Sequence, residues 1–271
     1  MSVESIKMGL KNLANESDRT FMEVFKQLTF ERFLARVAYS EYRSNLIFKG
    51  GLCLRHYVEL GRETKDIDFL IKELEGSQNI IEDIFEDITN VNLDDDFIYH
   101  SVSVSVLDLE VKECSGFRIR VEVTFGKMKD RMQIDIGVGD IVDELELGIE
   151  QLNYKGSPLL GNGSVTLYAY PPEFIFSEKL QAIIELKSFN SRMKDYFDCY
   201  VLIQSGVMDV KKVRNAVEKT FKNRNTKVET VDFYEELDST WESFTKKIQV
   251  DDLGLKEVIR HINRFLEKNI L

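Results

Sequence analysis

The apolar residues of this chain change period along its length, and the change divides it. Over about Ser17 to Tyr39 they recur at helical spacing, which predicts an amphipathic helix. A short apolar run, Leu46 to Phe48, follows, then a helix-compatible stretch from about Leu52 to Leu60 and a strand over Ile67 to Ile71. Helical spacing returns from about Asn79 to Ile88, with Ser77 positioned to cap it. Phe97 to Leu107, Phe117 to Phe125 and Met132 to Val138 alternate apolar with polar residues, the pattern of half-buried strands. Beyond Pro171 and Pro172 almost everything reads as helix. This order predicts an α+β fold: a mixed sheet with flanking helices and an N-terminal helical extension over residues 1–170, then a C-terminal helical domain over residues 171–271 that completes a ligand cleft.

The chemistry concentrates where the first strand ends. In LIFKGGLCLRHY an apolar run meets Lys49, Gly50 and Gly51 and then a helical pattern. Glycines allow a sharp turn and close approach of a ligand to the backbone, and a helix start offers unpaired N–H groups to a phosphate. The spacing is neither a dinucleotide fingerprint nor a P-loop. Soon after come Thr64, Lys65, Asp66, Ile67, Asp68 and Phe69. Asp66 and Asp68, two apart on a strand, point to one face while Ile67 and Phe69 point to the core. Carboxylates this close repel unless a cation offsets them, and hard oxygen donors suit Mg²⁺, with Mn²⁺ a substitute. A third carboxylate comes from QIDIGV, where Asp135 lies between inward isoleucines; Glu122 in VEVTF competes for the same role, and Asp135 is preferred. Three carboxylates could hold two metals roughly 3.5 to 4 Å apart.

Composition narrows the classes. A formal charge of −11 argues against tight non-specific binding to duplex DNA. The densest positive stretch, Lys211, Lys212, Arg214, Lys219, Lys222, Arg224 and Lys227, is either a solvated helix face or a surface for RNA or an acidic partner. Cys53, Cys114 and Cys199 are far apart and odd in number, so they read as buried thiols rather than disulfides or zinc ligands. With 43% apolar residues but no run long enough for a membrane span or signal peptide, a cytoplasmic protein with a real core is expected. His56, His100 and His261 share no motif.

Taken together, FKGGLCLRHY, RETKDIDF, QIDIGVGD, and SEKLQAII followed by SRMKDYFDCYVL resemble the AbiEii/AbiGii toxin family of minimal nucleotidyltransferases, which carry the DNA polymerase β-type nucleotidyltransferase fold. The likeness runs from about residue 45 to 205. One position departs from many nucleotidyltransferases: Gly51 stands where serine is frequent, which leaves phosphate contact to backbone donors. The resemblance implies that Asp66, Asp68 and Asp135 bind Mg²⁺, and that Lys49, Gly50, Gly51 and Thr64 cradle the NTP. It implies that Lys179 reaches the triphosphate, that Arg192 or Lys194 contacts a phosphate or the acceptor, and that Asp195 orients Lys179 or the attacking hydroxyl. By spacing alone Lys179 could equally snorkel, and Lys194 and Asp198 could form a surface i, i+4 pair. The activity implied is transfer of an NMP to a hydroxyl, tRNA first among acceptors, by the toxin of a toxin–antitoxin or phage-defence pair with a cognate antitoxin. Two rival readings are an enzyme that modifies a protein hydroxyl and a non-catalytic nucleotide-binding module.

Overall fold

A computed structural model describes residues 2–74, 76–107 and 116–271. They form two compact units, the first made of Met1–Leu52, Lys65–Gly139 and Glu144–Ala169, the second of Cys53–Thr64, Asp140–Asp143 and Tyr170–Leu271.

The first unit is built on a seven-stranded mixed sheet. Its strands are β1 (Leu46–Lys49), β2 (Ile67–Ile71), β3 (Phe97–Leu107), β4 (Gly116–Phe125), β5 (Met128–Val138), β6 (Leu145–Glu150) and β9 (Ser164–Ala169), in the order β3-β4-β5-β2-β1-β9-β6. A small hairpin, β7 (Asn153–Tyr154) with β8 (Ser157–Pro158), stands apart. The strands expected from the alternating pattern form with nearly the expected limits, because Ile119, Val121, Val123, Ile134 and Ile136 all turn one way into the core. β6 and β9 were not singled out by the pattern; β6 is a sheet edge and only Ile149 in it is buried.

Two helices cover the N-terminal region instead of one. α1 (Val3–Glu16) buries Ile6, Leu10 and Ala14 at four-residue spacing. α2 (Phe21–Tyr39) opens on a capping box between Thr20 and Glu23. It is not amphipathic as expected: burial is continuous from Leu28 to Val37, and Arg32 and Arg36 are inside. Their charge is met by Asp95, at 2.7 Å from Arg32 Nε and from Arg36 Nη2, so two residues of the polar pattern are core. α4 (Gln78–Thr89) packs on β3, and Ser77 stands at its N-cap position without a side-chain cap bond.

A further correction concerns the helix expected over Leu52 to Leu60. α3 is only Gly50–Leu54. The chain then leaves helical geometry, with Gly61 at φ +59° and the Tyr57 hydroxyl donating to the Tyr170 carbonyl at 2.9 Å. A helix this short carries little dipole, so a phosphate contact there falls to individual backbone groups.

The second unit is helical, with α5 (Pro172–Leu186), α6 (Met193–Ser205), α7 (Val210–Asn223), α8 (Asp238–Lys247) and α9 (Leu255–Asn269). Pro172 sits at the start of α5, where its missing N–H is not needed. α5 packs on α6 and α7, and α6 on α8 and α9. Trp241 is 2% exposed and donates from Nε1 to the Leu253 carbonyl at 2.6 Å, which ties α8 to the chain entering α9. Cys53 and Cys199 are buried free thiols, and Cys114 lies outside the described residues. Among the described residues no helix is long and apolar enough to cross a membrane.

Candidate active site

In the first unit, strand register gathers the charged residues. β1 and β2 are antiparallel with Lys49 opposite Asp68, β2 and β5 are parallel with Asp68 beside Asp135, and β4 and β5 are antiparallel with Arg118 opposite Asp135. Residues in register share a sheet face about 4.8 Å apart. Lys49, Asp68, Asp135 and Arg118 therefore form one row across four strands, two acids bracketed by two bases. Asp66 immediately precedes β2, two residues before Asp68. Glu122 lies four residues along β4 from Arg118 and pairs with Arg131 at 2.8 Å, so Asp135 rather than Glu122 stands beside Asp68.

Gly50 explains how this row meets the turn. Its φ is +73°, a conformation that favours glycine, and a Cβ there would overlap the Asp68 carboxylate. The absence of a side chain is thus what lets the backbone of the turn lie against Asp68.

Arg118 was not among the residues that sequence reasoning selected. Its Nε and Nη2 donate to the two Asp135 oxygens at 2.9 and 2.8 Å, a forked pair. The guanidinium is held above its usual range, first by this hydrogen bond, against an opposing effect of burial, and then by the charges of Asp135, Asp66 and Asp68. All three carboxylates therefore act on one cation. Among the described residues no group of three carboxylate, histidine or cysteine side chains converges tightly enough to enclose a metal ion, and Asp135 has both oxygens turned to Arg118. The donor set still fits a hard divalent cation: Mg²⁺ commonly takes one or two carboxylates and completes its shell with water and substrate phosphates.

In the second unit a buried charge cluster joins α5 and α6. Lys179 Nζ lies 3.0 Å from Asp195 Oδ1 and 2.8 Å from Asp198 Oδ2. Arg62 forks onto Asp198 at 2.9 and 2.6 Å, and Arg192 Nε lies 3.0 Å from Asp195 Oδ2. Both aspartates are fully buried. Burial pulls the Lys179 ammonium down, but Asp198 and Asp195 outweigh it and hold its pKa above the ordinary lysine value. Burial likewise raises Asp198, and Lys179 and Arg62 outweigh it, so its carboxyl lies below the usual range. The surface pair of Lys194 with Asp198 that the spacing allows does not form, because Asp198 points inward to these two cations. Arg192 is the exposed end of the cluster, with 54% of its side chain accessible. Thr64 Oγ1 is buried without a hydrogen-bond partner.

Residues 32–265 match the family described as nucleotidyl transferase AbiEii toxin, type IV TA system. The chain belongs to this family. It is a nucleotidyltransferase of the toxin kind, a class that generally takes an NTP with a divalent metal and is partnered by an antitoxin. Among solved structures, JHP933 from Helicobacter pylori superposes with a TM-score of 0.52 at 13% identity, covering 92% of each chain, which establishes the shared fold. A second H. pylori structure, described as a candidate nucleotidyltransferase, covers 89% of this chain and 93% of its own at 15% identity and a TM-score of 0.49. No curated protein matches.

For this AbiEii nucleotidyltransferase, sequence reading brought out the three aspartates, the glycines and Lys179, but not Arg118, Arg62 or Asp198 as paired groups. The alternation of β4 already put Arg118 on its polar face, yet only pairing with β5 shows its partner. Three of the seven basic residues in the stretch from Lys211 to Lys227 are met inside the second unit. Lys219 lies 2.6 Å from Asp143, Arg224 lies 2.9 Å from Asp140, and Arg214 donates to the Asn269 carbonyl. Lys211, Lys212, Lys222 and Lys227 stay exposed.

Proposed function

We propose that this AbiEii-family enzyme transfers a nucleoside monophosphate from an NTP to a hydroxyl of RNA, tRNA first, with pyrophosphate leaving. Asp66, Asp68 and Asp135 would hold Mg²⁺, or Mn²⁺ in its place. The observation that carries this reading is the in-register pair Asp68 and Asp135 with the Gly50 backbone against Asp68. When bound, a divalent ion supplies a hydroxyl nucleophile at neutral pH and charge compensation for the leaving group.

The chain's own groups have defined parts in this reading. Gly50 and Gly51 allow phosphates to approach the backbone, and Lys49 opposes Asp68 at the end of the row. Thr64, with its unmet hydroxyl, is assigned a hydrogen bond to the nucleotide. Lys179 is committed to Asp195 and Asp198, which supports a part in which it fixes Asp195 and supplies background positive charge for the triphosphate. Arg192, half-exposed, and Lys194 are assigned to phosphate or acceptor contacts.

An RNA acceptor is favoured by the turn before α6. Phe189 is 89% exposed, with Lys187 and Arg192 close in sequence, and Asn190 between them is fully buried, accepting from the Arg192 N–H at 2.9 Å. A braced turn that holds an aromatic ring in solvent, with Lys187 and Arg192 two and three residues away in the chain, suits stacking of an unpaired base. Phe189→Ala is expected to weaken tRNA binding by about 1–3 kcal/mol, the usual worth of one stacked base, and to leave NTP binding unchanged. Filter binding at fixed salt measures both.

The activity itself is tested with Mg²⁺, each labelled NTP in turn, and separate pools of tRNA and protein. Label should enter tRNA with one NTP or a subset, and Asp68→Ala should abolish it. Label in protein alone would favour the protein-modifying reading. No label in either pool, or equal label from wild type and Asp68→Ala, would sink the proposal. Cytoplasmic action follows from the substrates, since NTPs and tRNA reside there.

A further inference from the structure

Two arginine–aspartate forks, Arg62 with Asp198 and Arg118 with Asp135, involve candidate site residues, and they differ in how readily they can open. Arg62 and Asp198 have side chains 7% and 0% exposed, so parting them would strand charge in the interior. Arg118 and Asp135 are 31% and 20% exposed, and water can take up either charge if the pair separates. The openable fork is the one at the head of the carboxylate row.

The surroundings of Arg118 are those of a cation site already filled. Asp135 gives it both oxygens, and Asp66 and Asp68 act on its charge from nearby. Gln133, two residues before Asp135 on the same strand face, has its amide beside the fork, and with its oxygen assigned toward Arg118 it accepts from Nε and Nη2 at 3.2 and 3.3 Å. Without a cation here, Asp68 and Asp135 would stand side by side with Asp66 two residues off, and Lys49 would be the remaining base in the row. An ion bound by Asp66 and Asp68 alone would leave Asp135 where it is, whereas an ion that also takes Asp135 must displace the guanidinium.

We propose that Arg118 is the resting counter-ion of the carboxylate row, holding Asp135 until a divalent cation replaces it, and so setting the affinity of the row for that cation. This rests on the metal-site reading above. Arg118 is on this account a positioning residue: it keeps the empty row from self-repulsion and makes metal binding an exchange of one cation for another. The exchange balances locally, one pair of carboxylate contacts passing from guanidinium to metal with no change in protonation.

Mn²⁺ binding to the full chain, followed by electron paramagnetic resonance without nucleotide, tests this. Arg118→Gln should bind Mn²⁺ about tenfold more tightly than wild type, the scale expected for removing a like charge and a competing half-exposed ion pair. The same variant should melt at a lower temperature without metal and recover more than wild type when Mn²⁺ is added. Arg118→Gln binding Mn²⁺ no more tightly than wild type, while Asp68→Ala loses it, would overturn the role of Arg118 and leave the metal site standing. Asp68→Ala binding Mn²⁺ like wild type would overturn both. Should Arg118→Gln not fold, Arg118→Met removes the charge while keeping an unbranched stem on this partly exposed position, and binding no tighter than wild type in that variant overturns the proposal equally.

Discussion

Asp198→Ala should be the most destabilising single substitution in the second unit, costing about 3–5 kcal/mol, the range for breaking a buried ion pair by removing one partner. Asp198 is fully buried and is the carboxylate shared by Arg62 and Lys179. Its loss leaves the Arg62 guanidinium unmatched and Lys179 with Asp195 alone, where the side chains of Arg62, Lys179 and Asp195 are each no more than 9% exposed. Asp198→Asn should cost less, because an amide still accepts one hydrogen bond although it gives up the charge. Urea denaturation at neutral pH measures the difference. The sign with pH follows from the direction of the shift: Asp198 has a depressed pKa in the fold, so its contribution is complete above the ordinary carboxylate value of about 3.9. It is lost only as pH falls through the lower folded value. The gap between wild type and Asp198→Ala should therefore stay constant through mildly acid solution and close in strong acid. A gap under about 1 kcal/mol at neutral pH would show that the cluster behaves like an exposed pair.

Gly50→Ala should strike activity harder than any other change that removes no functional group. The φ of +73° alone costs an alanine about 1–2 kcal/mol, and its Cβ would overlap the Asp68 carboxylate. Either the turn or Asp68 must move. A displacement near 1 Å at the reacting centre is worth about 100-fold in rate, so transfer should fall by at least that factor with the aspartates intact. Gly148→Ala is the matched control, since Gly148 lies on β6 with open space where a Cβ would go. It should leave rate and melting temperature unchanged. Single-turnover transfer with saturating NTP reports the difference. A Gly50→Ala enzyme within a few-fold of wild type would mean that Asp68 tolerates displacement.

The contrast between these two residues describes what was legible. Gly50 could be read from the chain only in company: a glycine pair between a strand and a helical pattern is often just a turn, and Asp66 and Asp68, one helix and turn later, are what single it out. Asp198 could not, because its spacing from Lys194 offered a surface pair at least as good by local rules. Its inward direction depends on Arg62, 136 residues earlier in the chain. The same limit applies to α2, expected to be amphipathic, in which Arg32 and Arg36 are buried. Asp95, buried beside them, is what allows two arginines inside. The expected helix after Gly51 failed for a related reason: Leu52 to Leu60 has acceptable helical spacing, but bonds from Tyr57 and Arg62 to distant residues pull the chain out of it.

By itself the sequence determined which residues could do the chemistry. Alternation marked β3, β4 and β5, the prolines marked the change to helices, and the spacing of Asp66 and Asp68 put two carboxylates on one face. Tertiary structure decided who stands beside whom. Register between β2 and β5 set Asp135 rather than Glu122 next to Asp68, and register between β4 and β5 set Arg118 on Asp135. The physical reason is that side-chain period along a strand is local, whereas register is a sum of packing and hydrogen bonds over the whole sheet. One residue of slip would leave every strand in place and dissolve the row of charges.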